Sequence, residues 1–363
     1  MAQLRMKASR EPLIVQWFDR GAVRNYNICM KIGFLINPNC AISGMGNGIL
    51  KQAAMWAEGL RALGHEVHFI GPNQDGSIRA LKEFEVVHFF QHGHWLKGFW
   101  QGSREGQKWF FSPILDSTAS RVFYGALAKI PLEHYLVSFG PRLLRGFSMR
   151  TTVSVRSSHE RSYLEAIAPG ARIVENPIAV TLKDGLVCAP KVDLPTKFAL
   201  FVGNVSAERK NMLRLIEACD SLGLPLVLGG LLVQSPSMKL IEAQIAKSKI
   251  KVYRLGFLKE TELRWLYQNC SVFCLPSLVE GVGQVAMEAL YFGAPVVITS
   301  VGGPPDYFGD HAEYVNPHSA ESIASAIVRA MGRSVDLAEV RRFLDKFSIE
   351  NTARGLAEAY SQD

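Results

Sequence analysis

Glu280 and Glu288, with seven residues between them, stand in the stretch PSLVEGVGQVAMEAL, flanked by two short apolar runs. The first run, Val272 to Leu275, has the character of a buried strand in an α/β sheet, and Pro276 with Ser277 breaks it. A loop with Glu280, Gly281 and Gly283 follows. From Gln284 apolar residues recur at helix spacing until Gly293 and Pro295 stop them, and Ala294 to Ile298 begins another strand. Strand, glycine loop, helix, strand is a unit that presents backbone amides at a helix start, where phosphate is readily bound. Upstream, Arg209, Lys210 and Asn211 precede another helix, after the strand Phe198 to Gly203. Paired cations at a helix N-terminus are unfavourable unless an anion is close, and a lysine suits phosphate as a point charge. Such a set can hold a phosphorylated group and stabilise negative charge as it develops. A glutamate pair at one spacing means little alone; its setting between two strands gives it weight.

The elements that must position these groups repeat along the chain. Ile32 to Ile36 reads as a first strand, and residues 37–48 as a loop with Gly44, Gly46 and Gly48. Leu50 to Leu63 is an amphipathic helix, and residues 65–70 are a second strand. The loop lacks the dinucleotide spacing G-x-G-x-x-G; Gly46 is the candidate for close backbone approach to donor phosphates or acceptor. Residues 85–90 form a further strand, ending in Gln91, His92, Gly93 and His94. Strand C-termini face the ligand crevice of open α/β sheets, so His92 joins the candidates. No further His or Cys ligand spacing accompanies it, and no zinc site is expected. Residues 181–197, with Gly185, Pro190 and Pro195, read as a linker, and residues 337–360 as a final helix. The expected organisation is a prefix over 1–29, domains over 30–180 and 198–336, and a closing helix over 337–363. Met30, directly before the first strand, is the expected working start.

The 363 residues suffice for two domains, and 48% hydrophobic with 20% charged residues is ordinary for a globular protein. The longest apolar runs fall far short of a membrane span, and residues 1–24 mix charges in a way no cleavable leader does. Six cysteines without a C-x-x-C pair point to neutral thiols in a reducing compartment. Net charge is +7, unevenly placed: residues 1–190 hold 22 Lys and Arg against 14 Asp and Glu, residues 191–363 hold 18 against 19. A basic first half suits an anionic acceptor or surface, such as phospholipid headgroups or a lipid-linked pyrophosphate. Aromatic and basic residues also interleave between Trp95 and Arg150, which fits a membrane interface. Single-stranded nucleic acid is another ligand of such surfaces, but no nucleic-acid motif accompanies it and none is expected.

PS-x-x-EG-x-G followed by E-A-L resembles the donor-site signature of the retaining GT-B glycosyltransferases of family 4, whose two glutamates have this spacing. G-H-E-V at 64–67, V-G with R-K-N at 202–211, L-G-F at 255–257 and G-G-P-P-D at 302–306 are similar to further segments of that family. The resemblance covers roughly residues 30–360 and is strongest over 198–318. It implies an α/β GT-B fold, two Rossmann-like domains with parallel sheets facing an interdomain cleft. It further implies nucleotide on the C-terminal domain and acceptor on the N-terminal one. In its terms Glu280 orients the donor sugar, Lys210 contacts the diphosphate, and His92 is the candidate for a histidine that approaches the reacting sugar. The amides of Val282 and Gly283 would stabilise the leaving group. Glu288 would hold the ribose, Phe257 would lie in the base-binding region, and Gly203, Asn204, Arg209 and Gly281 would complete the donor site. Many relatives carry arginine where Asn204 stands, and Arg209 is the candidate substitute. The strand end 111–116 also lacks the histidine some relatives have. The implied reaction moves a sugar from a UDP- or GDP-sugar to the hydroxyl of a glycan or lipid-linked acceptor, in polysaccharide, lipopolysaccharide or glycolipid biosynthesis. No cofactor is held permanently. The chain has no D-x-D, which argues against a metal-chelated diphosphate. The implied location is cytoplasmic, peripheral at the inner face of the membrane through the basic N-terminal domain. Alternatives are a nucleotide-sugar epimerase of the same fold and a non-catalytic nucleotide-binding scaffold.

Overall fold

The computed structural model of the chain describes residues 29–36, 48–70, 79–91, 105–115, 117, 120–129 and 141–362. The first half forms β1 (Lys31–Ile36), α1 (Gly48–Ala62), β2 (Glu66–Ile70), β3 (Val86–Phe90) and β4 (Lys108–Ser112). It continues with α2 (Arg121–Leu127), α3 (Pro141–Ser148), β5 (Thr152–Val155), α4 (Ser158–Ile167) and β6 (Ile173–Glu175). Its sheet is parallel, in the order β2-β1-β3-β4-β5-β6. Because helices cover both faces, central strands are apolar on both sides instead of alternating. Phe34, Val86 and Phe110 enter the core under α1, while Leu35, Val87 and Phe111 enter the core on the other face.

The second half runs β7 (Ala199–Asn204), α5 (Met212–Ser221), β8 (Leu226–Leu231), α6 (Pro236–Lys247), β9 (Val252–Gly256) and α7 (Glu260–Asn269). Then come β10 (Val272–Leu275), α8 (Gln284–Tyr291), β11 (Val296–Thr299), α9 (Pro304–Phe308), β12 (Ala312–Val315) and α10 (Ala320–Met331). This sheet is also parallel, ordered β12-β11-β10-β7-β8-β9. The winding goes outward from β7 through β8 to β9, then returns to β10 and proceeds the other way. The reversal between β7 and β10 opens a crevice at their C-terminal ends, the place where such sheets bind ligands.

The segment between the domains is irregular but anchored. Cys188 N–H donates to Thr261 O at 3.0 Å, Arg264 to Leu186 O at 3.2 Å, and Arg341 pairs with Asp184 at 2.7 Å. The closing stretch departs from the single helix expected. It breaks into α11 (Leu337–Leu344) and α12 (Ile349–Gln362), with a 3-10 turn at Asp345–Phe347 between them. Val340 and Leu344 of α11 join the core of the second domain, whereas Ala353, Leu356 and Tyr360 of α12 join that of the first. At the crossing, a Cβ on Gly59 would come within 2.7 Å of Ile349 O, so a glycine is required there. Tyr360 reaches through the core to His88, Oη to Nδ1 2.6 Å, and the other imidazole nitrogen meets Ser112 Oγ at 2.8 Å. Full burial pushes the His88 pKa down to about 3, so the ring is neutral.

Candidate active site

The two strands that flank the reversal carry the site. After β7 the chain makes a 3-10 turn, Glu208–Lys210, that ends on Asn211 in the left-handed conformation, φ 60° and ψ 37°. Asparagine tolerates that conformation better than most residues. Its side-chain amide donates to Pro276 O at 2.9 Å and Pro317 O at 2.6 Å. Pro276 directly follows β10, so Asn211 ties the two loops together and fixes the residue before it. That residue is Lys210, whose Nζ lies 2.6 Å from Glu280 Oε2, both side chains being buried. The Ser277 hydroxyl donates to the same oxygen at 3.0 Å, and Arg209 Nη1 approaches it at 3.5 Å. A carboxylate removed from water in this way is tolerable only because it is paired and hydrogen-bonded.

Behind Glu280 the backbone is fixed by a second close approach. Glu280 N–H donates to Val301 O at 3.1 Å and Gly303 N–H to Glu280 O at 3.0 Å. Gly302 has φ +113°, and a Cβ there would collide with Glu280 O; a Cβ on Gly303 would collide with Gly281 O. The two glycines are thus explained by the contact they allow. Ahead of Glu280 the chain turns through Gly283, φ +86°, which caps α8. A Cβ on Gly283 would meet Ile298 Cδ1 at 2.7 Å. The first amides of a helix have no acceptor within it; in α8 those of Ala286 and Met287 already donate to Gly283 O, at 2.8 and 3.1 Å, which leaves Gln284 and Val285 at the helix start to face an anion in the cleft.

Glu288 lies one turn further along α8. The buried Tyr267 hydroxyl donates to it at 3.3 Å, and burial raises the Glu288 pKa above the ordinary carboxylate value, offset in part by the charge of Lys51. Burial likewise raises that of Tyr267.

A cavity of about 610 Å³ lies between the domains, walled on one side by Lys210, Glu280 and the Gly281–Gly283 turn and on the other by Gln91, Ile114 and Arg156. Gln91 and Ile114 end adjacent strands and both have positive φ, 62° and 57°. For a β-branched residue such as Ile114 this costs on the order of 1–3 kcal/mol, and strain of this kind gathers at ligand sites. Arg156 is braced by the fully buried Glu160: Nε to Oε2 is 3.2 Å, and that carboxylate also takes the amides of Arg156 at 2.7 Å and Leu115 at 2.6 Å.

Of the residues singled out from sequence, the structure brings Lys210, Glu280, Arg209, Gly203, Asn204, Gly281, Val282 and Gly283 to one cavity. Glu288 stands outside its wall, toward Tyr267. Phe257, 88% exposed on the loop after β9, is not part of the wall. His92, Gly46 and Cys40 lie outside the described residues, as does the prefix apart from Cys29. Cys219, Cys270 and Cys274 are buried, and burial pushes the first two thiols up to about 12. Cys29 and Cys188 are exposed. Asn211, Ser277, Arg156 and Glu160 were not anticipated. Asn211 carried a signal in its position, an asparagine between a turn and a helix; Arg156 and Glu160 carried none, since only the fold sets Arg156 on the cleft and Glu160 behind it.

Residues 189–342 match the family described as glycosyl transferases group 1. The O-antigen chain mannosyltransferase B of Escherichia coli is 28% identical over 170 residues, 45% of this chain and 41% of that protein. A serotype-specific mannosyltransferase WbdA of the same organism is 28% identical over 185 residues, 47% of this chain and 22% of its own length. The matches therefore span less than half of either curated relative. Among solved structures, sucrose-phosphate synthase from Thermosynechococcus elongatus superposes with a TM-score of 0.67 at 20% identity, covering 92% of this chain and 98% of the other. Anabaena HepE in complex with UDP gives 0.69 at 15% identity, covering 92% and 100%. At these identities the likeness is one of fold. Residues 189–342 are thus similar to the glycosyl transferases group 1 family, and the chain is built on the GT-B fold.

Proposed function

We propose that this protein is a retaining glycosyltransferase that moves a sugar from a UDP- or GDP-sugar to an acceptor hydroxyl in polysaccharide, lipopolysaccharide or glycolipid biosynthesis. The observation that carries the reading is the buried Lys210–Glu280 pair at 2.6 Å beside the Gly283 turn, in a cleft between two facing domains. In that reading the donor competes for the pair. Its diphosphate draws on Lys210, Arg209 and the amides at the start of α8, while its sugar hydroxyls take Glu280, and Glu288 takes the ribose. Charge on the departing diphosphate is met by fixed donors that need no reorganisation, so the reaction runs without a metal. Attack of the acceptor on the face the diphosphate leaves, through an oxocarbenium-like ion pair, retains configuration.

The acceptor side is proposed to sit on the first domain, at the inner face of a membrane. Arg121 and Arg142 are exposed on α2 and α3, with Val122 81% and Phe123 57% exposed beside Arg121. A surface of cations with protruding apolar side chains suits anionic lipid. Among the described residues no helix is long and apolar enough to cross a membrane.

Incubation with UDP- and GDP-sugars, with and without a lipid-extract acceptor, tests the reading by proton NMR of the product. Acceptor-dependent nucleotide release with the anomeric configuration of the donor supports it. An inverted product refutes retention, and an altered free sugar formed without acceptor marks an epimerase.

A further inference from the structure

We propose that Asp306 and Tyr307 are positioning residues that join the Glu280 loop to the facing domain, so that the two halves of the cleft close in one register. The proposal rests on the donor site assigned above and adds what holds the domains across it.

The connection is continuous. Gly302 and Gly303 are locked to the Glu280 and Gly281 backbone, with Gly303 N–H on Glu280 O at 3.0 Å. Immediately after them the short helix α9 begins with two prolines, which fix the backbone leaving the glycines. The next residue, Asp306, leaves its own domain. Its Oδ2 accepts from Ser158 N–H at 2.6 Å and its Oδ1 from the Ser158 hydroxyl at 2.9 Å. A carboxylate at the start of α4 also complements the dipole of that helix.

Tyr307 makes the second attachment. It is fully buried; its hydroxyl donates to Arg156 O at 2.8 Å and accepts from Ile178 N–H at 3.0 Å, and its ring stacks on Phe347 at 4.7 Å. Arg156 lines the cleft opposite Lys210 and Glu280. From Glu280 to Arg156 there is accordingly no flexible step: backbone contact, proline-stiffened turn, then a carboxylate and a phenol on consecutive residues that bond Ser158 and Arg156 of the other domain. Lys210, Glu280, Glu288 and the α8 amides all belong to the second domain and need none of this to hold a nucleotide. Transfer does need it, because the acceptor must be brought to the sugar within a few tenths of an ångström.

The prediction is a split between binding and turnover. In Asp306→Ala, affinity for UDP or GDP stays within about twofold of wild type, while nucleotide release from the matching sugar donor falls at least tenfold. Asp306→Asn, which keeps one acceptor oxygen, falls in between, and Ser158→Ala resembles it. Small-angle scattering gives a readout independent of activity: the radius of gyration of Asp306→Ala exceeds that of wild type. The same comparison with Tyr307→Phe tests the second attachment. Unchanged scattering and unchanged release in a folded Asp306→Ala protein would overturn the proposal. So would a parallel loss of nucleotide affinity, which would place Asp306 in the donor site itself. A wild type that binds no nucleotide would refute the donor site, while the scattering comparison would still decide the coupling.

Discussion

Lys210 and Glu280 hold each other in a place where neither would be tolerated alone. The salt bridge is not itself an argument for stability, because taking two charges out of water offsets most of their attraction. Breaking it is another matter. Lys210→Met leaves the Glu280 carboxylate with only Ser277 and the half-exposed Arg209, and should cost about 3 kcal/mol in urea denaturation. Adding Glu280→Gln should recover most of that loss. A double-mutant cycle measures the difference as a coupling energy, and additivity of the two substitutions would show that the pair is not coupled. Glu288 makes the opposite case. Burial raises its pKa, so the ionised form opposes folding: the stability linked to it is full below the unfolded pKa and is lost as pH rises through the folded one. Glu288→Gln should therefore melt higher than wild type, by more at pH 8 than at pH 5, and bind nucleotide at least tenfold more weakly. A lower melting temperature at pH 8 would contradict this.

Elements decide where those residues stand. Apolar runs such as Val272–Leu275 and Phe198–Val202 marked buried parallel strands in the sequence, because covered sheets leave no polar face. The glycine turn after the first of these runs marked its helix start. What the sequence did not disclose was the partner of each loop. That Asn211 reaches both Pro276 and Pro317, or that Gly302 must abut Glu280, depends on strand order, and strand order is not written in local pattern. Phe257 shows the same limit from the other side: local pattern did not disclose that its side chain would stand exposed and outside the cavity wall. The close approach makes a sharp prediction. Gly302→Ala, at φ +113° and in collision with Glu280 O, should destabilise by about 3 kcal/mol or more. Gly48→Ala, with nothing within 4 Å of the added carbon, should be neutral or stabilise by up to about 1 kcal/mol. Thermal melts of the two variants settle the contrast.

At the scale of the whole molecule the two domains are joined by more than the linker. The closing helix α12 reads into the first domain through Tyr360 and His88, and that link is sensitive to acid. The pKa of His88 is near 6.5 in the unfolded chain and about 3 in the folded one. The unfolded state therefore binds the extra proton between those values, and stability is full above pH 6.5 and is lost as pH falls toward 3. The urea midpoint of wild type should decline over that window, and His88→Gln should decline less steeply. The two-domain plan was legible from the length of the chain and from the alternation of strands and helices. The break that sends α11 to one core and α12 to the other was not, since Asp345–Phe347 carries neither glycine nor proline.

The cleft beside Lys210 is proposed to receive a nucleoside diphosphate. Thermal shift with UDP, GDP, ADP, CMP and their common sugars tests it most directly, on wild type and on the Lys210→Met, Glu280→Gln double variant, which keeps the site without unpaired charge. One nucleotide family should raise the wild-type melting temperature by mass action, and the double variant should lose the shift. A wild type that responds to none of them, or a double variant that responds as strongly as wild type, would contradict it.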